Sequence, residues 1–187
     1  FTGRRLIIAT YVWATGEVVL DLNTAGITIG GIVASDGFDS GEALAGGPTA
    51  ASGLFLASAS VTATSGTVEL DWTGSNVANG AAVAVLSVAG ISSTTDEVFR
   101  VGTGSGVASY SDSVTASANG IIIQAVCRGG TSALSWTGAT TELLDQTVDT
   151  SFSMGLAFSN RLSSGAKTIG FTSSGTDATG WASASYD

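Results

Sequence analysis

The sequence predicts an all-β protein, a two-sheet antiparallel β-sandwich of jelly-roll-like form with internally duplicated halves. Three observations carry that expectation. Runs of Val, Ile, Thr, Leu and aromatic residues alternate with small polar ones and are cut at short intervals by Gly, Ser, Asn and Asp, as strands joined by tight turns are. No segment of helical length keeps a 3.6-residue apolar period with a charged face. Finally, SGTVELDWTGSNVANGAAVAV at 65–85 is echoed by SSGAKTIGFTSSGTDATGWASAS at 163–185. A strand with one apolar face cannot stand alone, so two sheets must close over a shared core.

The strands follow in order. RRLIIATYVW at 4–13 opens the chain as a long apolar strand, followed by EVVLDL at 17–22 and GITIGGIV at 26–33. Residues 34–52, ASDGFDSGEALAGGPTAAS, hold the single proline and read as the longest irregular loop. Strands then follow at 53–62, 66–73 and 80–89. A strand-like bridge, VFRVGTGSGVASYSDSV, leads into 107–116, and further strands fall at 120–128, 132–137, 139–146, 151–160, 166–172 and 180–186.

The echo extends to five pieces. RRLIIATYVW matches GIIIQAVC, GITIGGIVAS matches ALSWTGATTE, and LFLASAS matches FSMGLAFS. SGTVELDWT then matches SGAKTIGFT, and GAAVAV matches GWASAS. In the fourth piece Ser-Gly makes a turn, where Gly accepts a positive φ at little cost. Val68, Leu70 and Trp72 then alternate with Glu69 and Asp71, giving one buried and one wet face. The copy keeps Ile169 and Phe171 at the apolar places and puts Thr168 and Gly170 where the acids were, so the latter two read as solvent-facing. No Pro-rich or charged linker separates the halves. The chain therefore reads as one domain, 1–187, with pseudo-repeat halves at about 1–92 and 107–187, in preference to the alternative of two small tandem domains of about 95 residues each.

Composition narrows the function. The chain is 44% hydrophobic and 11% charged, against roughly 25% charged residues in an average domain. Its surface must then be made largely of hydroxyls, small side chains and backbone, which suits packing beside other copies. The net charge of −9 leaves only Arg4, Arg5, Arg100, Arg128, Arg161 and Lys167 as cations, too few and too scattered for nucleic acid. The acidity opposes adhesion to anionic lipid, and no run reaches the ~18 apolar residues of a membrane span. The chain begins at Phe1, directly before a strand, and is expected to be processed, trimmed or part of a longer one. Cys127, the single cysteine, sits in the apolar run IIIQAVC as small core filling.

No enzyme is expected. Without histidine, Ser-His and Cys-His pairs and His-ligated metals are ruled out. Ser164 and Lys167 have Ser-x-x-Lys spacing, but in a β-turn rather than at a helix start. Glu69 and Asp71 stand on one strand face about 7 Å apart without an aromatic cleft, so they read as a solvated face and not as a glycosidase pair. No cofactor is expected: the glycines of VGTGSGV at 101–107 lack the following helix of a dinucleotide loop. Asp36, Asp39 and Glu42 in SDGFDSGE form a weak candidate metal site whose spacing is not that of a calcium loop. Thr94, Thr95, Asp96 and Glu97 form a weaker acidic patch. Glu69, Asp71, Trp72 and Trp181 are the candidate ligand or partner surface, because each of these tryptophans adjoins a repeated loop.

The order RRLIIATYV, ITIGGIVAS, LFLASA, SGTVELDWTGS, AAVAVLSVAGI, ANGIIIQAV and FTSSGTDATGWASASYD resembles a β-sandwich domain of tailed-phage and prophage structural proteins. There, jelly-roll-like or lectin-like accessory domains serve as head decorations, spikes and tail fibres. The resemblance implies a structural protein of a bacteriophage-like virion surface, assembled in the host cytoplasm. Its partners would be copies of itself and other virion proteins, with attachment to a cell-surface glycan as a further expectation. Two alternatives stand beside it. One is a carbohydrate-binding module. The other is a bacterial or archaeal surface filament in which RRLIIATYVWA completes a neighbour's sheet.

Overall fold

The computed structural model describes residues 4–15, 21–29, 32–33, 35–38, 50–61, 66–73, 80–90, 94–102, 109–128, 130–138, 141–149, 152–160, 162–175 and 179–187. Among these residues there are strands and no helix, so the described part of the chain is all-β. The first half contributes β1 (Arg4–Thr15), β2 (Asp21–Ile29), β3 (Ile32–Val33), β4 (Ser35–Phe38), β5 (Ala50–Val61), β6 (Val68–Thr73) and β7 (Gly80–Ala89). The second contributes β8 (Thr94–Gly102), β9 (Ser109–Ala116), β10 (Ile121–Arg128), β11 (Leu134–Thr137), β12 (Thr141–Asp149), β13 (Phe152–Ser159), β14 (Gly165–Ser173) and β15 (Thr179–Tyr186).

Two features differ from the sequence expectation. Residues 34–52 are not wholly irregular, because β4 pairs with β5 and β5 already begins at Ala50. The acidic stretch Thr94–Glu97 belongs to a strand, β8, whose partner is β15. Both segments gain their extended form from a neighbouring ladder rather than from local alternation.

Every pairing is antiparallel. One sheet has the order β4-β5-β1-β7 and another the order β12-β13-β10-β15-β8; two three-stranded sheets run β3-β2-β6 and β11-β14-β9. The first order reads directly onto the start of the second. Trp13 faces Gly80 across β1–β7, and Cys127 faces Gly180 across β10–β15. Those ladders put Val12 in the place of Val126, Ile8 in that of Ile122 and Ile7 in that of Ile121. On the other side, Trp13 faces Ser52 and Cys127 faces Met154, so Gly53 and Leu54 take the places of Gly155 and Leu156. In the smaller sheets, Leu22 faces Trp72 as Trp136 faces Phe171.

The best-defined core lies between the five-stranded sheet and the sheet β11-β14-β9. Val114 and Ala116 of β9, Ile122 and Val126 of β10, Ile169 and Phe171 of β14, and Trp181 of β15 form one buried cluster. β9 shows why: its even-numbered residues turn inward and its odd ones toward water. β10 is different, being buried at all eight residues. Ile123, Ala125 and Cys127 point away from that cluster and are still at most 1% exposed. On their side lies the four-stranded sheet, with β5 running against β10 and β15. An apolar run without alternation, IIIQAVC, is what a strand covered on both faces requires.

Two turns show the local chemistry. Asn119, between β9 and β10, has φ +64°, a left-handed conformation that its short polar side chain tolerates. Its N–H donates to Leu162 O at 2.7 Å, fixing the turn to the strand entry at β14. Gly165 opens β14 with φ +107°, as the Ser-Gly turn expects. Gly170 corrects the expectation of a solvent-facing place: it is buried, and a Cβ there would strike the carbonyl of Tyr110 on β9. The backbones of β14 and β9 come too close for any side chain.

Candidate functional site

The sequence candidates do not gather into one site. Glu69 is exposed on β6, and its Oε2 accepts a hydrogen bond from Thr28 Oγ1 of the facing strand at 3.2 Å. It acts as a cross-strand tie on a wet face. Asp71 and Trp72 lie on β6 opposite the β2 ladder, with side chains outside the described ones. Trp181 does not line a surface. It is 0% exposed, with its ring 6.0 Å from that of Tyr110 and 6.4 Å from that of Phe171. Its ladder position corresponds to Ala81, not to Trp72, so the two loop-adjacent tryptophans are not equivalent. Asp36 is on β4 with its side chain outside the described set, and Asp39 and Glu42 lie outside the described residues altogether. Among the described residues no three Asp, Glu, Cys or His side chains gather as metal ligands.

Other polar groups serve the scaffold. Lys167, half-buried on β14, donates its Nζ–H to Ser163 Oγ at 2.8 Å and not to Ser164. Buried hydroxyls bond backbone carbonyls: Ser183 to Ile123 at 3.0 Å, Ser185 to Thr115 at 2.6 Å, Ser153 to Gly130 at 2.5 Å and Ser159 to Gly138 at 2.6 Å. The half-buried Trp136 donates Nε1–H to Glu142 Oε2 at 2.9 Å.

The feature that stands out is β7. It lies at one end of its sheet, bonded to β1 alone, and no described strand pairs with its other edge. Its side chains alternate. Ala84, Leu86 and Val88 are half-buried, and Leu86 and Val88 line a cleft of about 280 Å³ with Ile121, Ile123, Leu143 and Phe158. The opposite face is open, with Val83 46% and Val85 49% exposed.

The corresponding strand, β15, is covered at both of those places. Its free edge is taken by β8, from Thr179 facing Gly102 to Tyr186 facing Thr94. Its face is taken by β9, through the Tyr110–Trp181 ring contact and the Ser185–Thr115 hydrogen bond. Val83 and Val85 hold the ladder places of Ser183 and Ser185, which are 0% exposed. The sheet β3-β2-β6 reaches β5, yet it ends at β6, where β11-β14-β9 continues to β9. The sequence hides this exposure, because GAAVAVLSVA is apolar at nearly every position and so does not mark which face is covered. The signal that could have found it is the five-piece echo, which has no first-half counterpart for 94–116.

No protein-family model, curated protein or solved structure matches the chain.

Proposed function

We propose that the chain is a non-enzymatic structural protein built as a single jelly-roll-like β-sandwich domain with internally duplicated halves. In this reading it stands beside other subunits on the surface of a phage-like virion, as decoration, spike or fibre, having been assembled in the host cytoplasm. The observation that carries the structural role is the shared strand order of the two larger sheets, with the outer edge of β7 unpaired among the described residues. Low charge and a surface of small residues support close packing with copies and with other virion proteins. The virion setting rests on the resemblance in the order of the sequence segments given above, and glycan attachment belongs to that same reading.

The alternatives draw less support. Strand donation by β1 needs a free segment, whereas β1 is paired on both edges within its own chain. A sugar-stacking surface loses one of its two aromatic candidates, since Trp181 is in the core. The test is light scattering and electron microscopy of the purified chain, beside a glycan array. Discrete oligomers or particle-bound copies are expected. A strictly monomeric chain that binds a glycan saturably would overturn the structural reading in favour of a carbohydrate-binding module.

A further inference from the structure

We propose that the open edge of β7, together with the Val83–Val85 face beside it, is a docking site for a β-strand pair of the β8–β9 kind, brought by a neighbouring unit of the same architecture. Three observations converge on it. The edge strand Gly80–Ala89 has ten residues and contains neither a charge nor a proline, the usual devices that keep an unpaired edge from recruiting a strand. Val83 and Val85 are about half exposed on an otherwise apolar strand. The third observation identifies the occupant. The corresponding strand, β15, takes β8 along its edge and β9 across its face. Two consecutive strands, β8 and β9, therefore cover in one half the two places that no described strand covers in the other.

The register of that pairing carries over. Ser183 faces Val98, Ala184 faces Glu97 and Ser185 faces Asp96. Val83, Ala84 and Val85 hold the same ladder places, so the incoming strand sets its counterparts of Val98, Glu97 and Asp96 opposite them. Main-chain hydrogen bonds supply affinity in such strand addition, and the facing side chains supply specificity. Directly opposed residues of an antiparallel pair share one face, so like charges there repel and opposite charges attract.

This deepens the assembly reading and rests on it only for the source of the strand pair. The probe is a synthetic peptide of residues 94–116 added to the full chain, followed by titration calorimetry and amide hydrogen exchange. Saturable one-to-one binding is expected, with new protection on the β7 amides and no change on β15. Val85→Asp sets a carboxylate against Asp96 and weakens binding about tenfold or more, or roughly 1.4 kcal/mol. Val85→Lys keeps or tightens binding, and the peptide variant Asp96→Lys rescues Val85→Asp. Val85 is half exposed, so these variants are expected to fold, which circular dichroism checks. The proposal is overturned by absence of saturable binding, by protection that maps to β15, or by equal affinities for Val85→Asp and Val85→Lys. It is also overturned if, at a dilution where the chain is monomeric, β7 amides are already as protected as those of β15, since the edge is then covered within its own chain. Failure of particles to form would leave the peptide result standing, and failure of the peptide would leave the particles standing, so the two readings fail separately.

Discussion

Gln124 is a polar residue in the middle of an apolar run, and its two hydrogen bonds explain why. It is 0% exposed. Its Nε2 donates to Thr137 O at 3.1 Å, while its Oε1 accepts from Gly170 N at 2.9 Å. The side chain thus ties β10 to β11 and β14, the strands on the far side of the core. Gly170 leaves room for the close approach of β9 that a Cβ would block at the Tyr110 carbonyl. Replacing Gln124 by Met keeps the bulk but strands the buried Gly170 N–H, at about 1–3 kcal/mol for the unsatisfied group, and gives up the part-buried bond to the Thr137 carbonyl. For a chain of this size each kcal/mol lowers Tm by about 2–4 °C. Thermal denaturation of Gln124→Met is expected to show a drop of several degrees, and an unchanged Tm would sink this account of the bridge.

Strand ends pose a different problem, because there a charge must be held where water is scarce. Arg128 closes β10 and is 1% exposed; its Nη2 donates to Asp145 Oδ1 of β12, whose side chain is 23% exposed. Asp145 Oδ2 also accepts from Leu134 N at the start of β11, at 3.4 Å, so one carboxylate joins three strands. Arg128 Nε and Nη1 have no partner, which makes the guanidinium costly to bury. Asp145→Ala would leave that charge uncompensated and is expected to cost about 3–5 kcal/mol. The double variant Arg128→Met with Asp145→Ala should recover most of the loss, as read by denaturant midpoints. If the double variant is as unstable as the single one, the pair is not what stabilises this corner. This element-scale logic also separates what was legible in the sequence from what was not. β7 is bounded by its residues as read, Gly80–Ala89, because its β-branched alternation and flanking glycines are local signals. β8 is legible only in part: VFRV lies in the strand-like bridge, whereas Thr94–Glu97 reads as an acidic patch and takes its extended form from the β15 ladder. Trp181 is misplaced by sequence for a related reason. A tryptophan beside a polar loop looks like a rim residue until β9 and β14 are seen to close over it. The exposure of Val83 and Val85 depends on which strands are missing nearby, and no local pattern records that.

At the scale of the whole molecule, the question is whether the halves are one folding unit or two. The cluster of Val114, Ala116, Ile122, Val126, Ile169, Phe171 and Trp181 is built entirely from residues after 107, and taken alone it would suit an independent second half. The other face of the same sheet argues against independence. Ile123, Ala125, Cys127, Ala184 and Tyr186 are nearly or fully buried on the side away from that cluster, where β5 and β7 of the first half lie. Separation would return those side chains to water, at roughly 1.5–3 kcal/mol for each large one. Only about 5–15 kcal/mol separates folded from unfolded states in most domains, so a shared face of this kind couples the two halves. Scanning calorimetry of the full chain is therefore expected to show one cooperative transition, with calorimetric and van't Hoff enthalpies in agreement. A fragment of residues 94–187 keeps its inner cluster but bares the second face, and should bind a hydrophobic dye that the full chain excludes. Cys127 reports on the same face: its thiol should react slowly in the full chain and quickly in the fragment. Two well-separated transitions, together with equal dye binding and equal thiol reactivity in chain and fragment, would show that the halves fold apart and that β10 needs no cover from the first sheet.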